Sequence, residues 1–212
     1  METGRLFAVI PAAGLSRRMG RPKLQLQLGG RSVLHHLLDG LVDARISDRL
    51  VVIRESDEPL RNLAQQIGVA PVLPSSDPPD MRMSVQIALN EIQARQTDLH
   101  PDHDAWLLIP ADHPVVNPAL VTGLIDAWNC LEANVDGLVP VFKGRSGHPC
   151  IFRWRVANLV EKIPADQGLN WLKRSGRIQL HEWVTDDPST LLDLDTPDDW
   201  ARLQRDWATN LD

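Results

Sequence analysis

Residues 11–23 read P-A-A-G-L-S-R-R-M-G-R-P-K and follow directly on an apolar run, Leu6, Phe7, Ala8, Val9 and Ile10. A run of that length predicts a buried first strand. The bend after it is small and hinged at Gly14, so its backbone N–H groups can approach a ligand closely. Arg17, Arg18, Arg21 and Lys23 surround the same bend with fixed positive charge. Converging amides and cations at the end of a first strand suit a polyphosphate. Two common phosphate loops do not fit. The Walker pattern wants four residues between its glycines and a hydroxyl after its lysine. Here five residues separate Gly14 from Gly20, and Lys23 precedes Leu24. The G-x-G-x-x-G triplet of dinucleotide folds is absent from the stretch.

The rest of the chain alternates. Apolar residues at Val33, Leu34, Leu37, Leu38, Leu41 and Val42 recur at a helical period within 31–46. Arg49–Arg54 predicts a strand, 58–68 a helix ending at Gly68, and Val69–Leu73 a strand stopped by Pro74. A helix over 83–96 leads to the apolar run Ala105–Ile109, a central buried strand. Asn117 and Pro118 open a helix over 117–131. Gly137–Phe142 and Cys150–Phe152 predict strands around the loop K-G-R-S-G-H-P. Helices over 154–162 and 167–174, strands over Ile178–Val184 and Leu191–Leu194, and a closing helix over 197–208 complete the chain. Such alternation predicts an α/β, Rossmann-like, mixed but mostly parallel sheet with helices on both faces. Residues 1–212 are expected to form one domain.

Net charge is −6, which implies no general attraction to nucleic acid or to anionic membrane. Cys130 and Cys150 have neither metal-ligand spacing nor the pattern of a disulfide framework. With no signal-peptide pattern and no apolar run of spanning length, a cytoplasmic location is expected. His100 and His103 lack a third ligand at matching spacing, so no zinc site is expected.

A triphosphate needs a divalent cation to bridge its oxygens, so carboxylates at strand ends matter. Asp112 in I-P-A-D-H-P follows the Ala105–Ile109 run. It either starts a turn or, beside the phosphate loop, holds a metal; the loop favours the metal. Asp195 in L-L-D-L-D-T-P-D-D-W is the second candidate ligand. Capping by Asp195 or Thr196 before Pro197 is its alternative. Ser84, near a helix start, is either a cap or a nucleotide contact. His148, in Gly147-His148-Pro149, and Asp166 and Gln167, in D-Q-G, are either turn and cap residues or acceptor contacts.

The pattern A-A-G-x-S-x-R-M-G-x-x-K, carried by Ala12, Ala13, Gly14, Ser16, Arg18, Met19, Gly20 and Lys23, resembles the signature of MobA-like nucleotidyltransferases. This is the group of the molybdenum-cofactor guanylyl- and cytidylyltransferases. Asp112-His113-Pro114 is similar to the family's D-x-P motif, although His113 stands where methionine or glutamine is usual. Asp193 to Asp199 resembles its D-[IL]-D-T-P-[ED]-D closing motif. Met81 to Ser84 resembles a segment beside the nucleotide base. Gly147-His148-Pro149, Asp166-Gln167-Gly168 and the lack of a glycine pair after Ala12 are similar to the cytidylyltransferase branch. The matches run from residue 8 to residue 200.

The resemblance implies the fold of the nucleotide-diphospho-sugar transferases (GT-A-like). It implies Mg²⁺ on Asp112 and Asp195, CTP rather than GTP as donor, and molybdopterin as the phosphorylated acceptor. A molybdoenzyme partner would receive the product. Catalysis would fall to Arg18, Lys23 and Asp112. A phosphate nucleophile is already ionised near pH 7, consistent with the lack of a Ser–His–Asp or Cys–His set. A sugar-1-phosphate or alcohol-phosphate acceptor is the enzymatic alternative, and a non-catalytic nucleotide-binding delivery protein the other.

Overall fold

The computed structural model describes residues 4–114 and 117–209. The first strand, β1 (Leu6–Pro11), is buried along its whole length. After the bend and a short 3-10 turn, a small hairpin, β2 (Gln27–Leu28) and β3 (Arg31–Ser32), leads into α1 (Val33–Gly40). Ser32 caps α1 by accepting from the His35 amide. Next come β4 (Ile46–Val52), α2 (Glu58–Gln66), α3 (Met81–Arg95), β5 (Ala105–Leu108) and α4 (Pro118–Asn129). The later half holds β6 (Gly137–Phe142), β7 (Arg145–Ser146), β8 (Cys150–Arg153), α5 (Ala157–Val160) and α6 (Asn170–Arg174). It ends with β9 (Leu180–Val184) and α7 (Pro197–Thr209).

Seven of these strands form one sheet, in the order β4-β1-β5-β8-β6-β7, with β9 on β6. β4, β1 and β5 are mutually parallel, and β6 is parallel to β9. β8 is antiparallel to both β5 and β6, and β7 is antiparallel to β6. The sheet is therefore mixed and mostly parallel, the fold class that the alternation predicts.

The period-two alternation of strand side chains explains why β1 carries no polar residue. Leu6, Ala8 and Ile10 pack into one core with residues of α1, α2, α4 and α7. Phe7 and Val9 pack into the other with residues of α3 and α5. Each fully buried Val, Leu or Ile stabilises the fold by about 1.5–3 kcal/mol, so one polar substitution inside β1 is felt on a whole face.

Two expected strands are absent. Val69–Leu73 makes only an isolated parallel bridge from Val72 to Val52, because Pro74 ends the run before a ladder can extend. Leu191–Leu194 is not a strand either. Pro188–Leu191 is a 3-10 turn, and the following residues are held singly, the Leu194 amide donating to the Asp112 carbonyl at 2.8 Å. The predicted helices over 31–46, 154–162 and 167–174 are also shorter than their apolar periods. The α1 helix stops at Gly40, the second region splits into a 3-10 turn and α5, and α6 begins only at Asn170. Among the described residues no helix is long and apolar enough to cross a membrane.

Candidate functional site

The ends of β1 and β5 place the two sequence constellations side by side. Residues 12–20 leave β1 as a bend in which Ser16 and Gly20 both adopt positive φ, 49° and 70°. The Gly20 amide donates to the Ser16 carbonyl at 3.0 Å and closes the turn. Among the described residues the amides of Ala13 to Met19 meet no backbone acceptor, which leaves them available to an anion. Ala12, Ala13, Gly14, Ser16, Lys23, Ser84 and Asp112 line one cavity of about 190 Å³. Met19 instead points into the core at 3% exposure, so its place in the motif is a packing role.

Lys23 is the pivot. Its Nζ lies 3.1 Å from Asp195 Oδ1 and 3.5 Å from Asp112 Oδ2, and its side chain is only 12% exposed. Arg18 reaches the other oxygen of Asp195, with Nη2 2.8 Å from Oδ2. Two carboxylates separated by 83 positions in the sequence thus converge on one ammonium. Asp195 is free to do so because Thr196 does the capping. The Thr196 Oγ1 accepts from the Asp199 amide at 3.2 Å, and Asp199 Oδ2 accepts from the Thr196 amide at 2.9 Å. The α3 cap is likewise Asp80, which accepts from the Met83 amide at 2.8 Å. Ser84 lies further into that helix, donating to the Asp80 carbonyl, and faces the cavity.

On the other side of Asp112 opens a larger cavity of about 630 Å³. His113, His148, Asp166, Gln167, Asp193 and Asp195 all line it. Asp166 caps no helix, since α6 begins at Asn170 after an uncapped Leu169. His113 and His148 are stacked edge to face with ring centroids 5.0 Å apart, and His113 Nε2 sits 3.2 Å from Asp193 Oδ1. Burial pushes the His113 imidazole down, against the pull of Asp193 and Asp112. Burial, then His113 and Lys173, push His148 down to about 3. Desolvation, then Asp112 and Asp195, push the Asp193 carboxyl up, while His113 opposes them. Three acids crowd one strand end here, which is an arrangement that favours a cation.

The loop carrying His148 is docked tightly on the turn that precedes Asp193. The His148 amide donates to the Thr190 carbonyl at 2.9 Å, and a Cβ on Gly147 would meet that same oxygen at 2.2 Å. Only glycine lets the two backbones approach so closely.

The model of the MobA-like NTP transferase domain matches residues 8–181. The chain belongs to the MobA-like NTP transferase family. Its relatives include the 2-C-methyl-D-erythritol 4-phosphate cytidylyltransferase of Pseudomonas fluorescens (strain Pf0-1), 36% identical over 148 residues. That match takes in 64% of this chain but only 56% of the relative, so the chain spans little more than half its length. Among solved structures, Rv0371c from Mycobacterium tuberculosis H37Rv is 27% identical with a TM-score of 0.78, over 96% of this chain and 99% of that one. The structure of Rv0371c in complex with manganese is 26% identical with a TM-score of 0.72, over 95% and 98%.

Within this MobA-like frame the loop residues, Lys23, Asp112 and Asp195 lie close together. Sequence reasoning gave His113 as a departure from the family motif and Asp193 as the first residue of the closing motif, and put neither among the candidate ligands. The structure puts both at the centre of the larger cavity. The available signal was the adjacency of His113 to Asp112, together with the two-residue spacing from Asp193 to Asp195.

Proposed function

We propose that this chain transfers a nucleoside monophosphate, CMP from CTP, to a phosphate-bearing acceptor and releases pyrophosphate. The observation that carries the reading is the position of Lys23 Nζ, within 3.5 Å of Asp112 and Asp195 where the two cavities meet. The smaller cavity, lined by the bend, takes the nucleotide, and the larger takes the acceptor. Family membership and a relative named as a cytidylyltransferase support the nucleotidyl class and the choice of CTP.

A divalent cation fits the residues present. The Lys23 ammonium already stands as a shared cation between Asp112 and Asp195, so the pair can hold one between them. Mg²⁺ is the ion this reading assigns, and the manganese complex of Rv0371c supports a divalent ion at such a fold. An ion held by Asp112 and Asp195 would supply neutralisation of the charge on the transferred phosphate.

In the reaction, a phosphate oxygen of the acceptor attacks the α-phosphorus in line. The bond from the α-phosphorus to the bridging oxygen breaks, and pyrophosphate departs. Amides of residues 13–19 hold the β- and γ-phosphates, as preorganised donors to the growing negative charge. On nucleotide binding Lys23 exchanges its two carboxylates for the leaving phosphates, and Arg18 neutralises the same group. Ser84 flanks the base end of the smaller cavity, and Met19 and Gly20 shape the bend. His148, Asp166 and Gln167 contact the acceptor. The acceptor's own phosphate is ionised near neutral pH, so no general base is assigned.

Molybdopterin is the acceptor this reading assigns, with a molybdoenzyme as recipient of the product, in one cytoplasmic domain spanning residues 1–212. A second reading, an alcohol-phosphate acceptor, is favoured by the name of the Pseudomonas relative. The test is pyrophosphate release from each of the four NTPs with Mg²⁺ and either acceptor. CTP should lead, and Asp112→Ala should abolish turnover in a folded protein. Undiminished release by Asp112→Ala would overturn the assignment.

A further inference from the structure

We propose that Asp112, His113 and Asp193 form a second divalent-cation site, on the acceptor side of the cleft, that takes a transition-metal ion such as Mn²⁺ in preference to Mg²⁺. It deepens the nucleotidyl-transfer reading and shares Asp112 with it. Three observations carry it: the geometry of the donors, the local charge, and the enclosure of the imidazole.

One carboxylate oxygen from Asp112, one from Asp193 and a ring nitrogen of His113 all lie within 4.8 Å of one another. Around an ion with bonds of about 2.1 Å, adjacent donors stand about 3 Å apart and opposite donors about 4.2 Å apart. The 3.2 Å from His113 Nε2 to Asp193 Oδ1 is the separation of an adjacent pair. Small rotations of the Asp112 and Asp193 carboxylates would bring the third donor into the same shell.

Lys23 and Arg18 are the two cations paired with Asp112 and Asp195. Among the described residues Asp193 pairs with His113 alone, so three carboxylates meet two fixed positive charges. One negative charge is left over at the Asp193 end. Asp112 and Asp193 both line the cavity of about 630 Å³, where the acceptor phosphate must arrive. Arg82, Arg145 and Lys173 line the same cavity, but among the described residues none of them pairs with Asp193, so the surplus is local to that acid.

His113 is only 3% exposed, yet it lines that cavity. The His148 ring packs edge-on against it and restricts rotation of the imidazole. The donor set is therefore mixed, two oxygens and one nitrogen. Mg²⁺ takes oxygen donors and gives up its water reluctantly, whereas imidazole is a ligand for first-row transition ions. The selectivity follows from the histidine and not from the acids. Without a metal, the same contact is a packed imidazole N–H facing a carboxylate.

The test uses the full chain, stripped with chelator and free of nucleotide. Mn²⁺ is titrated by electron paramagnetic resonance, and the bound ion is examined for ¹⁴N modulation by electron spin echo. The proposal expects a bound Mn²⁺ with imidazole nitrogen coupling, whether or not a further ion sits between Asp112 and Asp195. His113→Gln should abolish that coupling and weaken Mn²⁺ binding about tenfold while leaving Mg²⁺ binding within about twofold. Asp193→Asn should weaken both ions. Bound Mn²⁺ in the wild-type chain without ¹⁴N modulation overturns the site, and that result needs no variant to fold. Unchanged Mn²⁺ affinity in folded His113→Gln overturns it as well. Loss of the site with Mg²⁺-supported pyrophosphate release intact leaves the transfer reading standing. Nitrogen-coupled Mn²⁺ in a chain that releases no pyrophosphate from any NTP would do the reverse.

Discussion

Replacing Lys23 with methionine should move cation binding and turnover in opposite directions. The ammonium lies 3.1 Å from Asp195 Oδ1 and 3.5 Å from Asp112 Oδ2. At an effective dielectric of about 20, Coulomb's law gives about 5 kcal/mol for each contact. The carboxylate side chains are 23% and 25% exposed and the lysine 12%, so solvent and desolvation remove most of that. Ion pairs near a surface are worth up to about 1 kcal/mol each. About 2 kcal/mol for the two corresponds to about 30-fold in an equilibrium constant. Methionine keeps the apolar stem and deletes the competitor. Nucleotide-free Lys23→Met should therefore bind Mg²⁺ about 30-fold more tightly in a calorimetric titration. Turnover should fall by about 10²–10³, the usual cost of one lost donor to a charge that develops in the transition state. Unchanged or weaker Mg²⁺ binding would refute the idea that the ammonium occupies the cation's place. Retained turnover would refute its role on the phosphates.

Three further outcomes follow from the packing of the chain, two of them at the site. His148 is held at about 3 in the folded chain and titrates near 6.5 when unfolded. The unfolded chain then binds the proton first. Stability should be full above about pH 6.5 and fall by about 1.4 kcal/mol per pH unit below it, down to about pH 3. His113, Lys173 and Cys150 surround the ring, and His113 adds to the same slope. His148→Gln should flatten the pH dependence of unfolding between pH 7 and 5 by one proton, and an unaltered slope would contradict this. Gly147→Ala would drive a Cβ to 2.2 Å from the Thr190 oxygen, so it should cost about 1–3 kcal/mol and reduce turnover; wild-type kinetics would contradict the docking. Asp104 is 5% exposed and accepts from the Arg5 and His100 amides and from Arg5 Nη2, at 2.7, 2.8 and 2.7 Å. Breaking that pair with Asp104→Asn should cost about 3–5 kcal/mol, or about 6–20 °C in melting temperature. A loss under about 2 °C would contradict it.

The sheet was legible because its central strands are buried on both faces and cannot carry polar residues. Leu6–Ile10 and Ala105–Leu108 announce themselves as continuous apolar runs. Gly137–Phe142 was found with its bounds intact, since turn residues close both ends. Leu191–Leu194 misled because its leucines are apolar for another reason. Leu192 and Leu194 pack a loop against the core, and the loop is fastened by bonds to Asp112 and to the His148 segment, which no local pattern encodes. The bend after β1 was legible as a motif, and the strand-end position of Asp112 was legible from the apolar run before it. The choice between Asp195 as cap and Asp195 as free carboxylate was not. It depends on Thr196 and Asp199 bonding each other, which either sequence reading allowed. His113 was visible but silent. Its meaning lies in burial beside Asp193, 80 positions away in the sequence.

The most direct measurement follows both ends of the triphosphate at once, with CTP labelled at the α-phosphorus in one reaction and at the γ-phosphorus in another. The α-label should appear in the acceptor product and the γ-label in pyrophosphate, in equal amounts, and both should vanish in Asp112→Ala. Release of the γ-label as orthophosphate, or an acceptor that stays unlabelled while pyrophosphate accumulates, would contradict nucleotidyl transfer at this site.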